Sequence, residues 1–127
     1  MDPMTDRISL TVPRERPYFG VAHLVLGGVA MRQNLTIEAL EDLQVAVEEV
    51  LQRERGDGHV TLEMELLDGR IEARLGPFEG IVLRHDLEPA GERELGLRRV
   101  LDSTVDSHAV ETRDDGDWVL LTKARPG

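Results

Sequence analysis

Two Asp-Gly pairs constrain this chain more than any other feature: Asp68-Gly69 and Asp115-Gly116. Asp-Gly suits the tight turn whose central residues need positive φ, and such a turn joins antiparallel neighbours. Before the first pair, Val60, Leu62, Met64 and Leu66 alternate strictly with polar residues; after it, Ile71, Ala73 and Leu75 do the same. Each run reads as a strand with one buried face. Gly76-Pro77 is expected to interrupt the second. Around the other Asp-Gly pair, residues 109–112 and 118–122 read as a further hairpin. Residues 8–12 alternate in the same way, with Ile8, Leu10 and Val12 on one side, and Pro13 ends that strand. Residues 80–84 are expected to add a short extended piece.

Helical spacing appears in three places. Residues 35–53 carry Ile37, Leu40, Leu43, Val47 and Val50 at intervals of three and four, on one stripe. Thr36 is the expected N-cap, and Glu38, Glu41 and Asp42 follow near the positive end of the helix dipole. A second stripe holds Asp42, Ala46, Glu49 and Arg53 and reads as the polar face. Glu49 and Arg53 form an i, i+4 pair of the favourable orientation, worth about 0.3–0.5 kcal/mol if exposed.

Residues 17–32 read as a helix opened by Pro17, with Val21, Leu24, Val25, Val29 and Met31 as its apolar side. Gly27 and Gly28 inside it imply either close packing or a kink, since each costs about 1 kcal/mol against alanine. Residues 94–102 form the third expected helix, through Leu95, Leu97, Val100 and Leu101. Residues 54–58 and 87–92 read as loops. Helices that come in a pair, rather than between every strand, place the chain in the α+β class, with a mostly antiparallel sheet and helices on one face.

Length and charge set the outer limits. The 127 residues suit one domain over 1–127, with residues 1–6 as a flexible lead. Aromatics make up only 3%, so Leu, Val, Ile and Ala must build the core. The net charge of −10 opposes binding to a phosphate backbone, where lysine and arginine must neutralise charge. It suits a basic protein partner. No cysteine is present, which excludes disulfides and thiolate zinc sites. No apolar run approaches the roughly 18 residues of a membrane span, and the first residues lack a signal-peptide plan. A cytoplasmic protein is expected.

Residue chemistry alone points to no reaction. His23, His59, His85 and His108 are scattered, with no i, i+4 pair, and His85-Asp86 is the sole adjacent His-carboxylate pairing; no metal is expected. There is no G-x-S-x-G and no G-K-[ST] loop.

A family resemblance goes further. The run LTVPRERPYFGVAHLVLGGVAMRQNLTIEALEDLQVAVEE, and the closing GDWVLLTK, resemble the RsbW-like anti-sigma-factor serine kinases of partner-switching systems, within the GHKL ATPase superfamily. Ala22 to Gly27, Glu41-Asp42-Leu43 through Glu49, and Gly116 to Lys123 carry the likeness, in family order. It implies the Bergerat fold, a two-layer α/β sandwich with a mixed, mostly antiparallel sheet.

In such proteins an N-box glutamate is the base and an asparagine four residues on binds magnesium between the ATP phosphates. Glu49 matches the glutamate; Arg53 stands at the asparagine. A guanidinium has no lone pair for a metal. The D-x-G-x-G loop that reads adenine falls on Gly76-Pro77-Phe78-Glu79-Gly80: the aspartate is absent, and Phe78 replaces a small residue. The later G-x-G falls on Glu94-Leu95-Gly96, and the threonine of the final G-T is Asp117. The resemblance with these departures implies a regulator that binds neither ATP nor magnesium, in which Glu49, Arg53, Gly76, Phe78, Gly80, Glu94, Gly96 and Asp117 are vestigial. The alternative is an active serine/threonine kinase with a divergent ATP site and Glu49 as base. A third reading is an assembly domain unrelated to sigma control.

The implied partners are a sigma factor or a STAS-domain anti-anti-sigma factor, with a homodimer as the family's common state. The first-helix arginine that contacts those partners is here His23, so the partner differs, the contact answers to pH, or His23 is an ordinary exposed histidine on a helix.

Overall fold

The structure is a computed structural model and describes residues 6–53, 58–79 and 96–124. Five strands form one sheet: β1 (Asp6–Pro13), β2 (His59–Leu67), β3 (Arg70–Phe78), β4 (Ser107–Arg113) and β5 (Gly116–Ala124). Their order across the sheet is β1-β2-β3-β5-β4, and all four pairings are antiparallel. Both Asp-Gly pairs lie in the expected hairpins, but neither Asp68 nor Asp115 takes the expected positive φ. In the second hairpin Arg113 pairs with Gly116, so Asp114-Asp115 form the turn and Gly116 opens β5. Gly69 sits at φ +81° and Gly116 at φ +139°, conformations an L side chain resists.

The strict alternation in β2 becomes a strict alternation of burial, with Val60, Leu62, Met64 and Leu66 all buried. These residues, with Ile71, Ala73, Leu75, Val119 and Leu121, form the covered face. Each of these side chains larger than alanine contributes about 1.5–3 kcal/mol by leaving water.

Among the described residues three helices cover that face: α1 (Phe19–Arg32), α2 (Ile37–Leu51) and α3 (Leu97–Thr104). The helix expected from Pro17 begins as a single 3-10 turn, Arg16–Tyr18, before α1 proper. Thr36 caps α2 as expected, its Oγ1 accepting from the Ala39 N–H at 3.0 Å. Lys123 ties the layers together: its Nζ donates to the Thr104 carbonyl at 2.8 Å and lies 3.3 Å from Asp42 of α2.

Several expectations need correction. β3 does not end at Gly76-Pro77; it continues to Phe78, with its register against β5 shifted between Leu75 and Phe78. A proline lacks an N–H for the ladder, and a shifted register accommodates it. Asp6 belongs to β1 rather than to a flexible lead; residues 1–5 lie outside the described residues. So do residues 54–57, the extended piece at 80–84, the loop at 87–92 and His85. The third helix starts at Leu97, later than expected, with Gly96 as its N-cap in an extended conformation.

The helix faces were also misassigned. Ile37 is 74% exposed, whereas Ala39 and Ala46 are buried. α2 is flanked by the sheet and by both other helices, so its buried arc is wider than one stripe and takes in part of the supposed polar face. In α1 the core takes Phe19, Ala22, Leu26, Val29 and Ala30. Val21, Leu24 and Met31, expected inside, are exposed. α1 runs through Gly27 and Gly28 as one helix, and neither packs closely, since a Cβ built at either meets nothing within 4 Å.

Candidate functional site

Antiparallel order gathers the ends of β1, β3 and α2 with the starts of β2 and β5 at one end of the molecule. On the helix side of that end lie three side chains that burial makes unusual. Phe78, 3% exposed, closes β3 and belongs to the core cluster. Asp117, 4% exposed, is its register partner on β5 and accepts from Thr112 Oγ1 at 3.0 Å. Arg14, 9% exposed, places its guanidinium 5.4 Å from the Phe78 ring centre. Arg14 Nη2 donates to the Pro77 carbonyl, while Nη1 is buried without a hydrogen-bond partner among the described residues. Cation–ring attraction offsets part of the cost of burying that charge. The sequence reading passes over Arg14. The sole hint was an arginine following the proline that ends β1.

Glu49 and Arg53 stand at the end of α2. They pair as expected, with Arg53 Nη2 3.3 Å from Glu49 Oε2. Both are half-buried, and Arg53 Nε is buried without a hydrogen-bond partner among the described residues. An acceptor oxygen of the candidate base is thus held by a fixed cation one helical turn away. Gly76 does not share this space. It faces the opposite side of the sheet, where a Cβ would lie 2.5 Å from Cδ2 of Trp118. No side chain, aspartate included, fits there unless Trp118 moves. Gly96 contributes backbone alone, as the cap of α3. Gly80 and Glu94 lie outside the described residues.

His23 belongs to a different surface. From α1 its Nε2 reaches Glu48 Oε2 of α2 at 3.6 Å, and its carbonyl accepts from Gln44 Nε2 at 3.1 Å. Around it the outer side of the helix pair is apolar: Tyr18 of the 3-10 turn, Val21, Leu24 and Met31 of α1, and Val45 of α2 are exposed. Glu38 and Glu41 are exposed beside them and have no ion-pair partner among the described residues.

The uncovered face of the sheet is built differently. Arg74 bridges Glu72 and Glu111, Arg113 bridges Glu111 and Glu63, and Arg7 meets Glu65. Arg113 also stacks 4.0 Å from the Trp118 ring centre. Its hydrogen bonds to Glu63 hold its pKa above the usual arginine value. A raised folded-state pKa gives stability that is lost only as pH climbs past that value, so Arg113 stays charged through the neutral range. A hollow of about 350 Å³ opens here among Arg7, Glu63, Glu65, Arg74 and Arg113. Its charges are already matched to each other.

Among the described residues no three potential ligands cluster for a metal, and no helix is long and apolar enough to cross a membrane. The fold and the residues at its end define a class: a two-layer α/β sandwich of the GHKL ATPase type, its antiparallel sheet covered by helices on one face.

No protein-family model matches the chain. Curated proteins do. It is 32% identical to the serine-protein kinase RsbW of Listeria innocua serovar 6a, over 97% of this chain and 90% of that protein. It is 32% identical to the serine-protein kinase RsbW of Bacillus subtilis strain 168, over 93% of this chain and 85% of that protein. A 46-residue stretch, 36% of this chain and 29% of its counterpart, is 48% identical to the serine-protein kinase RsbW of Oceanobacillus iheyensis. The chain belongs to the RsbW-like anti-sigma factor family.

Proposed function

We propose that this protein is an anti-sigma-type regulator that acts by protein contact and neither binds ATP nor transfers phosphate. The observation that carries the reading is the Glu49–Arg53 pair. Where the family likeness calls for a magnesium-binding asparagine stands a donor-only guanidinium, held against the carboxylate of the candidate base. The residues present do not fit a magnesium ion, because a fixed positive charge occupies the place of a ligand.

Packing at the other end of the groove supports the same reading. Phe78 is buried where a small residue would let a base approach, and Arg14 lies over its ring. Gly76, where the adenine-reading aspartate would be, lies on the other face of the sheet against Trp118 and supplies no carboxylate to the groove. With its nucleotide site filled from within, the scaffold is left with its surfaces. Its partners in this reading are a sigma factor or a STAS-domain anti-anti-sigma factor, met through the helix face that holds His23. The protein works in the cytoplasm, with a homodimer as its resting state.

The second reading is an active serine/threonine kinase with Glu49 as base. Two facts favour it: the relatives bear the name of serine-protein kinases, and the glutamate is retained. Incubation with Mg-ATP labelled at the γ-phosphate, together with the sigma factors and STAS proteins of the same genome, separates the two. Complex formation on gel filtration without transfer of label is expected. Label on a partner's serine or threonine would establish the kinase instead.

A further inference from the structure

We infer that the outer groove of α1 and α2 is a docking surface for a basic amphipathic helix of a partner protein. The inference rests on the reading of this chain as a regulator that works by contact, and it names the chemistry of what is contacted.

α1 is apolar on both sides. Its inner side, through Phe19, Leu26 and Val29, is in the core. Its outer side carries Val21, Leu24 and Met31, with Leu24 78% and Met31 80% exposed. A helix that is apolar all round is built to be covered all round, and nothing in this chain covers the second side among the described residues. The outer row runs 21, 24, 28 and 31, the spacing of one helical stripe. Val45 of α2 extends the apolar surface across the groove.

The glycines of α1 add an independent observation. Gly20, Gly27 and Gly28 lower helix stability, yet a Cβ at each would meet open space. Packing within the chain therefore gives no reason for them. They leave the groove shallow along its length, which lets the backbone of a second helix come near, as ridge-into-groove packing requires. An extended peptide would instead seek a sheet edge.

Charge selects the helix. Glu38, Glu41 and Glu48 share one stripe of α2 with Val45 on this side, and the first two have no ion-pair partner among the described residues. Arg16 and Arg32 lie at the two ends of α1, away from its middle. A second copy of this chain would bring these acids against themselves across a two-fold axis. An anionic membrane would meet a molecule of net charge −10. A helix with lysine or arginine beside an apolar stripe answers both the exposed leucine and methionine and the unpaired carboxylates.

Two synthetic helical peptides with one leucine stripe test this by fluorescence anisotropy on the full chain. One has Lys and Arg beside the stripe; the other has Glu in their place. The basic peptide should bind at least about tenfold more tightly, a difference of ~1.4 kcal/mol, and should weaken as salt rises. Leu24→Ala should weaken it without changing the unfolding midpoint. The double variant Glu41→Lys with Glu48→Lys should invert the preference between the peptides. Equal binding of both peptides, tighter binding of the acidic one, binding of neither, or no effect of the double variant would overturn the assignment. So would a concentration-dependent dimer that Leu24→Ala abolishes.

The two failures are separable. If neither peptide binds and the chain still co-elutes with a sigma or STAS partner, the groove is wrong and the regulatory reading stands. If the basic peptide binds and no such partner does, the groove stands and the regulatory reading falls.

Discussion

The two broad faces of this molecule handle charge in opposite ways. On the uncovered face of the sheet, Arg7, Arg74 and Arg113 are matched to Glu63, Glu65, Glu72 and Glu111, within a strand or across the sheet. Large apolar groups there are covered, as Trp118 is by Arg113. On the helix face, Leu24 and Met31 are bare and Glu38 and Glu41 have no partner among the described residues. A surface whose charges satisfy one another has little left to offer a ligand, because binding would have to break existing pairs first. A surface with exposed apolar groups and unpaired carboxylates has unmet capacity on both counts. The hollow in the sheet face is thus the less promising place, although it is the more concave.

Mutation can break this contrast. The largest expected effect separates the two sides of α1 themselves. Leu26→Ala, in the core, should cost about 2–5 kcal/mol in denaturant unfolding, whereas Leu24→Ala should stay within about 0.5 kcal/mol. Similar costs would mean that the outer side is covered after all. Next, Gly76→Ala forces a methyl against Trp118 and should cost about 1–3 kcal/mol, visible as a lower midpoint and altered tryptophan fluorescence. A neutral result would mean that Trp118 can move and that the position could once again host a side chain.

Smaller changes sharpen the comparison. Gly27→Ala and Gly28→Ala should each stabilise the fold by about 1 kcal/mol, since only helix propensity changes. A loss of stability would show that the glycines serve the fold rather than a partner. Glu63→Gln on the sheet face should cost no more than about 1 kcal/mol, as exposed pairs do, and should leave peptide binding on the helix face unaltered. Arg53→Asn alone should yield no heat of binding when titrated with Mg-ATP, because Phe78 still fills the base end of the groove and Gly76 still lacks a carboxylate.

Legibility in the sequence followed the strength of local signals. Asp68-Gly69 and Asp115-Gly116 determine their hairpins through backbone conformation alone, so four of the five strands were readable with their pairing. Thr36 was readable as a cap for the same local reason. α1 was found as a helix, but its inward side was not. With apolar residues all round, periodicity cannot choose between Leu24 and Leu26, and only tertiary packing does. The Glu49–Arg53 pair was legible because one helical turn separates the partners. Arg14 was not, because its significance comes from Phe78 and Pro77, more than sixty residues away in the chain. Gly76 on the far face follows from the alternation of Ile71, Ala73 and Leu75; what escaped is Phe78 on the covered face, because the register shift between Leu75 and Phe78 breaks that alternation.

Thermal unfolding in the presence of Mg-ATP tests most directly whether the nucleotide groove is closed. A midpoint unchanged from the ligand-free protein, up to millimolar nucleotide, is the expected result. A site occupied at a hundred times its dissociation constant would add about 2.7 kcal/mol of stability, and a rise of that size would contradict a closed groove and return the protein to the kinases.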